Sequence, residues 1–194
     1  MKIMKSIFLS LLFVVFGSMY VFAQDLKVAS AANLQGVIQE IGASFEQQSG
    51  IKIIPIMGSS GKLTTQIENG APFDLFLSAD IKYPQVLFKE GLTLQDPKVY
   101  AYGILVLWTL KNIDVNKGME VLKSPQVKRI ALANPQLAPY GRETINALKS
   151  AKLYTDVQKK LVYGESINQT NDFIISQSAD VGFTSKSIVS LVEY

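Results

Sequence analysis

The chain has 194 residues, 48% of them apolar, with 19 basic and 16 acidic side chains and a formal net charge of +3. That is enough apolar surface for one or two modest cores, and the near-balance of charge excludes the electrostatic footprint of a nucleic-acid-binding protein. Neither Cys nor His occurs, which removes thiol catalysis, disulfides, every His-based acid–base pair and most transition-metal sites together.

At the N-terminus, "MKIMKSIFLSLLFVVFGSMYVFAQD" sets Lys2 and Lys5 before an apolar run from Ile7 to Phe16 and ends in Val21-Phe22-Ala23. Its charge, length and cleavage-site pattern predict a signal peptide over residues 1–23, the apolar core being shorter than the ~20 residues of a spanning helix. Cleavage leaves 17 basic against 16 acidic residues and puts a soluble chain outside the cytoplasm. Leu26 to Ala31 then reads as a strand, and Leu34, Val37, Ile38, Ile41 and Phe45 recur at helical spacing until Ser49-Gly50 stops them. Ile51 to Met57 is a second strand, Leu63 to Glu68 a short helix ended by Asn69-Gly70, and Leu75 to Ser78 a third strand. Asp80 is placed to cap a helix over Tyr83 to Glu90. This β-α-β-α-β order predicts a parallel sheet with right-handed crossovers.

Val99 to Leu110, "VYAYGILVLWTL", is too short to cross a bilayer and too β-branched and aromatic for a helix, so it predicts a long strand passing between lobes, with Tyr100, Tyr102 and Trp108 in core or hinge packing. Beyond it come a helix over Val115 to Lys123, a strand over Arg129 to Ala133, helices over Gly141 to Ala151, Thr155 to Leu161 and Ile167 to Ser176, and a strand over Val181 to Thr184. The whole is an α/β chain of two lobes: residues 24–102 form lobe one, with 186–194 returning to it, and 103–185 form lobe two. A ligand belongs in the cleft between them.

Three readings compete for "GSSGKL" at Gly58 to Leu63. A Walker-type loop needs Gly where Ile56 stands and Ser or Thr where Leu63 stands, so it fails at both ends. Ser59 and Lys62 satisfy Ser-x-x-Lys, the signature of a Ser-Lys hydrolase, but no Ser-Asp-Asn or Lys-Thr-Gly accompanies it. The third reading is a helix N-terminus, whose unpartnered N–H groups and positive dipole end hold an anion, with Ser59 and Ser60 adding hydroxyl donors. A serine here also serves to cap its own helix, and repetition of the arrangement favours the anion. Ser30, Ala32 and Asn33 stand between the first strand and its helix, Tyr140 and Gly141 stand immediately before a helix in lobe two, and Ser166 precedes the helix from Ile167. Strand carboxyl ends share one edge of such a sheet, so the loops at Asn33 and Ser60 converge.

Four blocks, "ASAANL", "GSSGKLTTQIENGAPFDLFLSAD", "ANPQLAPYGRETINAL" and "ADVGFTSKS", are similar, in the same order, to those of the periplasmic molybdate-binding proteins that serve ABC importers. The resemblance runs from about Lys27 to Ser190, with "GAPFDLFLSAD" its most specific element. It implies a two-lobed periplasmic binding protein fold of type II, each lobe a mainly parallel sheet flanked by helices. It also implies a non-enzymatic monomer without a cofactor, which closes over molybdate or tungstate and delivers it to a membrane permease. Carried over by position, the oxyanion contacts are Asn33 with the adjacent Ala32, Ser60 beside Ser59, Tyr140, and the backbone of Ile167. Where some relatives have a tyrosine near the last strand, this chain has Ser185. Family members continue past the block at 181–190, so the resemblance implies a C-terminally truncated form.

The donor chemistry agrees. Molybdate and tungstate are fully deprotonated at neutral pH and suit a site made only of donors, whereas hydrogen phosphate wants a carboxylate for its proton. No Asp or Glu lies inside the Asn33 or Ser60 motifs, although Glu143 and Glu165 stand near the other two. Sulfate passes the same test, and cavity size alone separates it from molybdate. Arg142 is expected to be a solvated first-turn residue, contact with the anion being the other reading, and Lys62 a rim cation that steers anions without touching them.

Overall fold

The computed structural model describes residues 25–191; the expected signal peptide and residues 192–194 lie outside the described residues. β1 (Leu26–Ala31) is buried over its last four positions, as befits a central strand. A 3-10 turn at Ala32–Leu34 leads into α1 (Gln35–Ser49), which stops where Gly50 takes the left-handed φ of 70° that a residue without Cβ adopts freely. β2 (Ile53–Gly58), α2 (Ser60–Glu68), β3 (Leu75–Leu77) and α3 (Lys82–Lys89) follow. The strands order as β2-β1-β3, all parallel, with Ala31 opposite Gly58 and Ser30 opposite Leu77. The loops after all three therefore open on one edge.

The second sheet contains β4 (Leu105–Trp108), β5 (Ile130–Ala133), β6 (Leu161–Gly164) and β7 (Val181–Ser185) in the order β4-β7-β5-β6, with only β4 antiparallel to its neighbour. α4 (Pro139–Ser150), α5 (Tyr154–Val157) and α6 (Ile167–Ile175) complete it, and α7 (Lys186–Val189) follows β7 to pack on the Ala32–Leu34 turn and α1 of the first lobe. Leu122, Val127, Ile130, Leu148, Val157 and Val181 form the fully buried centre of this lobe. The two sheets with their helices make the two-lobed α/β fold.

Three expectations need correction. Within Val99 to Leu110 only Leu105–Trp108 joins a sheet; residues 99–104 run without a ladder partner, and Tyr102 is 90% exposed. The composition favours an extended backbone, but a strand also needs a neighbour to pair with. Tyr100 instead donates its hydroxyl to the Ser78 carbonyl at 2.7 Å, while Trp108 is core. Thr155 to Leu161 is not one helix: α5 passes through a 3-10 turn at Gln158–Lys160 into β6, which pairs in parallel with β5. The Val115–Lys123 segment is 3-10 and is broken at Gly118, whose φ is 73°. The apolar stripe of α1 has the predicted period but only Ile38 is buried, with Val37, Ile41 and Phe45 exposed. Periodicity decides which residues share a face and leaves open what covers it.

Asp180, just before β7, ties the edges of the second lobe together. Its carboxylate accepts from the Lys128 and Arg129 amides at 2.7 and 2.8 Å and from Lys111 Nζ at 2.6 Å. Burial pushes this carboxyl upward, but Lys111 and the two amides outweigh it and hold the pKa below the usual range. A carboxyl whose pKa is lower folded than unfolded stabilises fully above the unfolded value of about 3.9 and loses that contribution as pH falls through the folded one. Asp180→Asn is therefore expected to lower the urea midpoint by a constant amount between pH 6 and 8. The gap to wild type narrows below about pH 4; a gap independent of pH would rule out the ionic contribution.

Candidate functional site

A small cavity opens between the lobes; about 200 Å³ of space, the open solvent at its mouth included, lies against its walls. Its walls are Ala31, Ala32 and Asn33 after β1, Ser59 and Ser60 after β2, Ala79 after β3, Ala138, Pro139 and Tyr140 at the start of α4, and Ile167 at the start of α6. The six predicted residues, Ala32, Asn33, Ser59, Ser60, Tyr140 and Ile167, all line it. Sequence reasoning missed Ala31, Ala79, Ala138 and Pro139. They offer no side-chain donor and form smooth wall, although all four lie in the quoted blocks.

Three helices, α2, α4 and α6, begin at this cavity, so N–H groups without intrahelical partners gather around it. Tyr140 lies inside the first turn of α4 rather than ahead of it, because Pro139 with its preset φ opens the helix. The Ser60 hydroxyl accepts from the Ala79 amide at 2.9 Å, which leaves its own proton to donate. The Ser59 hydroxyl and the Asn33 carboxamide oxygen are buried without a hydrogen-bond partner. The hydroxyl donates as it stands, and the carboxamide presents its NH2 end by turning about its terminal torsion. Ser166, by contrast, caps α6 by accepting from the Gln169 amide at 3.3 Å.

Burial pushes the Tyr140 phenol up, opposed by a hydrogen bond with Ser185, so the ring stays neutral at ordinary pH. That hydroxyl packs against Gly103, where no Cβ fits. Tyr140 therefore offers the cavity its ring and its first-turn backbone. Ser185 is fully buried outside the lining. Its hydroxyl is 3.0 Å from that of Ser187, which donates to the Asn33 carbonyl at 2.8 Å and so braces the turn after β1 from behind.

No lining side chain carries a formal charge. Among the described residues no cluster of three or more His, Cys, Asp or Glu could hold a metal ion. The charges stand at the rim, already paired across the cleft, which corrects two expectations. Lys62 is no free steering cation, since its Nζ meets Glu165 at 2.5 Å. Arg142 is no solvated residue: it pairs with Asp80 and lies over the Tyr83 ring at 5.9 Å. Asp80 also accepts from the Tyr83 amide at 3.3 Å, in keeping with its expected capping role.

A family model described as bacterial extracellular solute-binding protein matches residues 26–193. The chain is 39% identical over 168 residues to the molybdate-binding protein ModA of Azotobacter vinelandii, covering 86% of this chain and 67% of that one. It is 38% identical to ModA of Rhodobacter capsulatus, over 86% and 66% of the two chains. The solved periplasmic molybdate-binding protein of A. vinelandii superposes with a TM-score of 0.79 at 36% identity, over 83% of this chain and 71% of that one. The chain thus spans about two thirds of the length of the relatives it matches. With its two α/β lobes and a cavity between them, it belongs to the bacterial extracellular solute-binding proteins, and molybdate-binding proteins are its close homologues.

Proposed function

We propose that this chain is a periplasmic, non-enzymatic carrier that takes molybdate or tungstate between its lobes, with no cofactor, and delivers it as a monomer to the permease of an ABC importer. The observation that carries this reading is the lining: helix starts from both lobes meet on one cavity that contains only neutral groups. Such a wall stabilises a fully deprotonated dianion by hydrogen bonds and offers a protonated oxyanion no carboxylate to take its proton. The names of the homologues point to the same ligand. The Ser-Lys hydrolase reading loses support because Glu165 holds the Lys62 ammonium and the Ser59 hydroxyl has no partner.

The test is a thermal-unfolding scan with molybdate, tungstate, sulfate and phosphate at one common concentration, where a ligand present at 100 times its dissociation constant stabilises by about 2.7 kcal/mol. A shift with molybdate and tungstate alone is the expected result. A shift with sulfate alone would retain the carrier and change its cargo. Ser60→Ala removes a donor to the dianion and is expected to weaken binding about tenfold or more, since a hydrogen bond to a charged group contributes about 1.5–3 kcal/mol. Unchanged affinity in that variant would remove Ser60 from the site.

A further inference from the structure

Among the described residues, apart from the hydrogen bonds at the chain crossings (Lys186–Ile104 and Ser185–Ser187), five direct links join lobe one to lobe two, and none uses a hydroxyl or carboxamide of the cavity wall. Lys62 of α2 meets Glu165, and Asp80 meets Arg142 of α4. The Gly61 amide donates to the Leu137 carbonyl at 2.8 Å, the Tyr83 hydroxyl donates to the Gln136 carbonyl at 3.2 Å, and the Asn168 carboxamide donates to that of Gln35. The two ion pairs have opposite polarity: each lobe contributes one cation and one anion. The charges of the two pairs cancel each other, and Glu143, 3.6 Å from Arg142 Nε, adds a further carboxylate beside the second pair. Shifting one lobe against the other separates both pairs together, which fixes the register of closure.

From this geometry we propose that the Asp80–Arg142 and Lys62–Glu165 pairs are a latch that sets the population of the closed conformation, and through it the apparent oxyanion affinity. The proposal rests on the carrier reading above. A ligand that binds only the closed form shows a dissociation constant raised in inverse proportion to the closed fraction, so residues that never touch the anion still tune its affinity. The pairs are unequal. Arg142 and Asp80 keep only 27% and 19% of their side-chain exposure, against 51% and 54% for Lys62 and Glu165. The first is weakly screened and carries most of the effect, while the second is a salt-sensitive trim. These four are positioning residues.

The experiment uses the full chain. Because it contains no Cys, single cysteines introduced at the exposed positions Gln47 and Lys152 carry spin labels, one on each lobe. Inter-label distances are measured without any oxyanion, and molybdate affinity is measured separately. Asp80→Asn and Arg142→Gln are each expected to lengthen the distances and weaken affinity about tenfold, with the double variant no worse than either single one. Lys62→Gln is expected to weaken affinity two- to threefold at low salt and not at all at 1 M salt, where the screening length falls to about 3 Å. The reversed pair Lys62→Glu/Glu165→Lys is expected to restore it.

Distances and affinities unchanged in every variant would overturn the latch. So would tighter binding in Asp80→Asn beside weaker binding in Arg142→Gln, which would make Arg142 a ligand group. The label distances separate the two hypotheses. A wild type that binds no oxyanion overturns the carrier reading, while the distances still decide the latch.

Discussion

Gly61→Ala is expected to weaken oxyanion binding by up to about a hundredfold while both lobes stay folded. A Cβ at this position would lie 2.8 Å from the Leu137 carbonyl oxygen and from the Tyr83 hydroxyl, and 3.1 Å from Leu137 Cα. Leu137 belongs to the opposite lobe, and its backbone cannot turn aside as a side chain would. Overpacking of this kind costs about 1–3 kcal/mol, and 1.4 kcal/mol is a factor of ten in affinity. The Tyr83 hydroxyl, in the same lobe as Gly61, ends a side chain that can swing aside, whereas the backbone clash at Leu137 arises only where the lobes meet, so most of the cost falls on closure. Calorimetric titration with molybdate, paired with a thermal scan of the ligand-free variant, separates the two contributions. Wild-type affinity in Gly61→Ala would mean that the close approach at Leu137 is not needed for binding.

Gly141→Ala is expected to act on stability instead, at the upper end of the overpacking range, about 3 kcal/mol. Here the added Cβ would collide with the Ala133 carbonyl oxygen and lie 2.7 Å from its carbon and 2.9 Å from the Asn134 carbonyl carbon. All three atoms are backbone at the end of β5, and α4 starts close against that strand because residue 141 has no side chain. The variant must push α4 away from the sheet, which also displaces Tyr140. Urea unfolding reads the loss as a lower midpoint with an unchanged slope. A change below about 0.5 kcal/mol, the range of an ordinary surface substitution, would refute the packing argument.

Much of the first lobe was legible because its signals are local. β1, α1, β2 and α2 follow from apolar period, and Gly50 and Gly70 mark their ends with positive φ. The cavity wall was legible for a related reason. Small and hydroxyl residues directly after strands mark places where backbone approaches a ligand, and the resemblance gave the order of the blocks. What stayed hidden depends on partners distant in the chain. β6 follows a 3-10 turn rich in Lys and looks like the end of a helix until β5 pairs with it. Residues 99–104 have strand composition and no strand beside them. The rim charges were misread for the same cause, since Lys62 and Glu165 are 103 residues apart and Asp80 and Arg142 are 62 apart. Their pairing exists only once the lobes have docked.

Among the described residues the chain passes between the lobes twice, once through residues 99–104 and again where β7 gives way to α7. The two passages are fastened to each other by the Lys186 amide donating to the Ile104 carbonyl at 2.9 Å. α7 then packs against the Ala32–Leu34 turn and α1. Two adjacent, cross-tied connections are expected to act as a pin joint, which permits a swing about one axis and resists torsion about any other. Points on one lobe should therefore sweep arcs of a single circle family relative to the other, so a few distances suffice to describe every degree of opening.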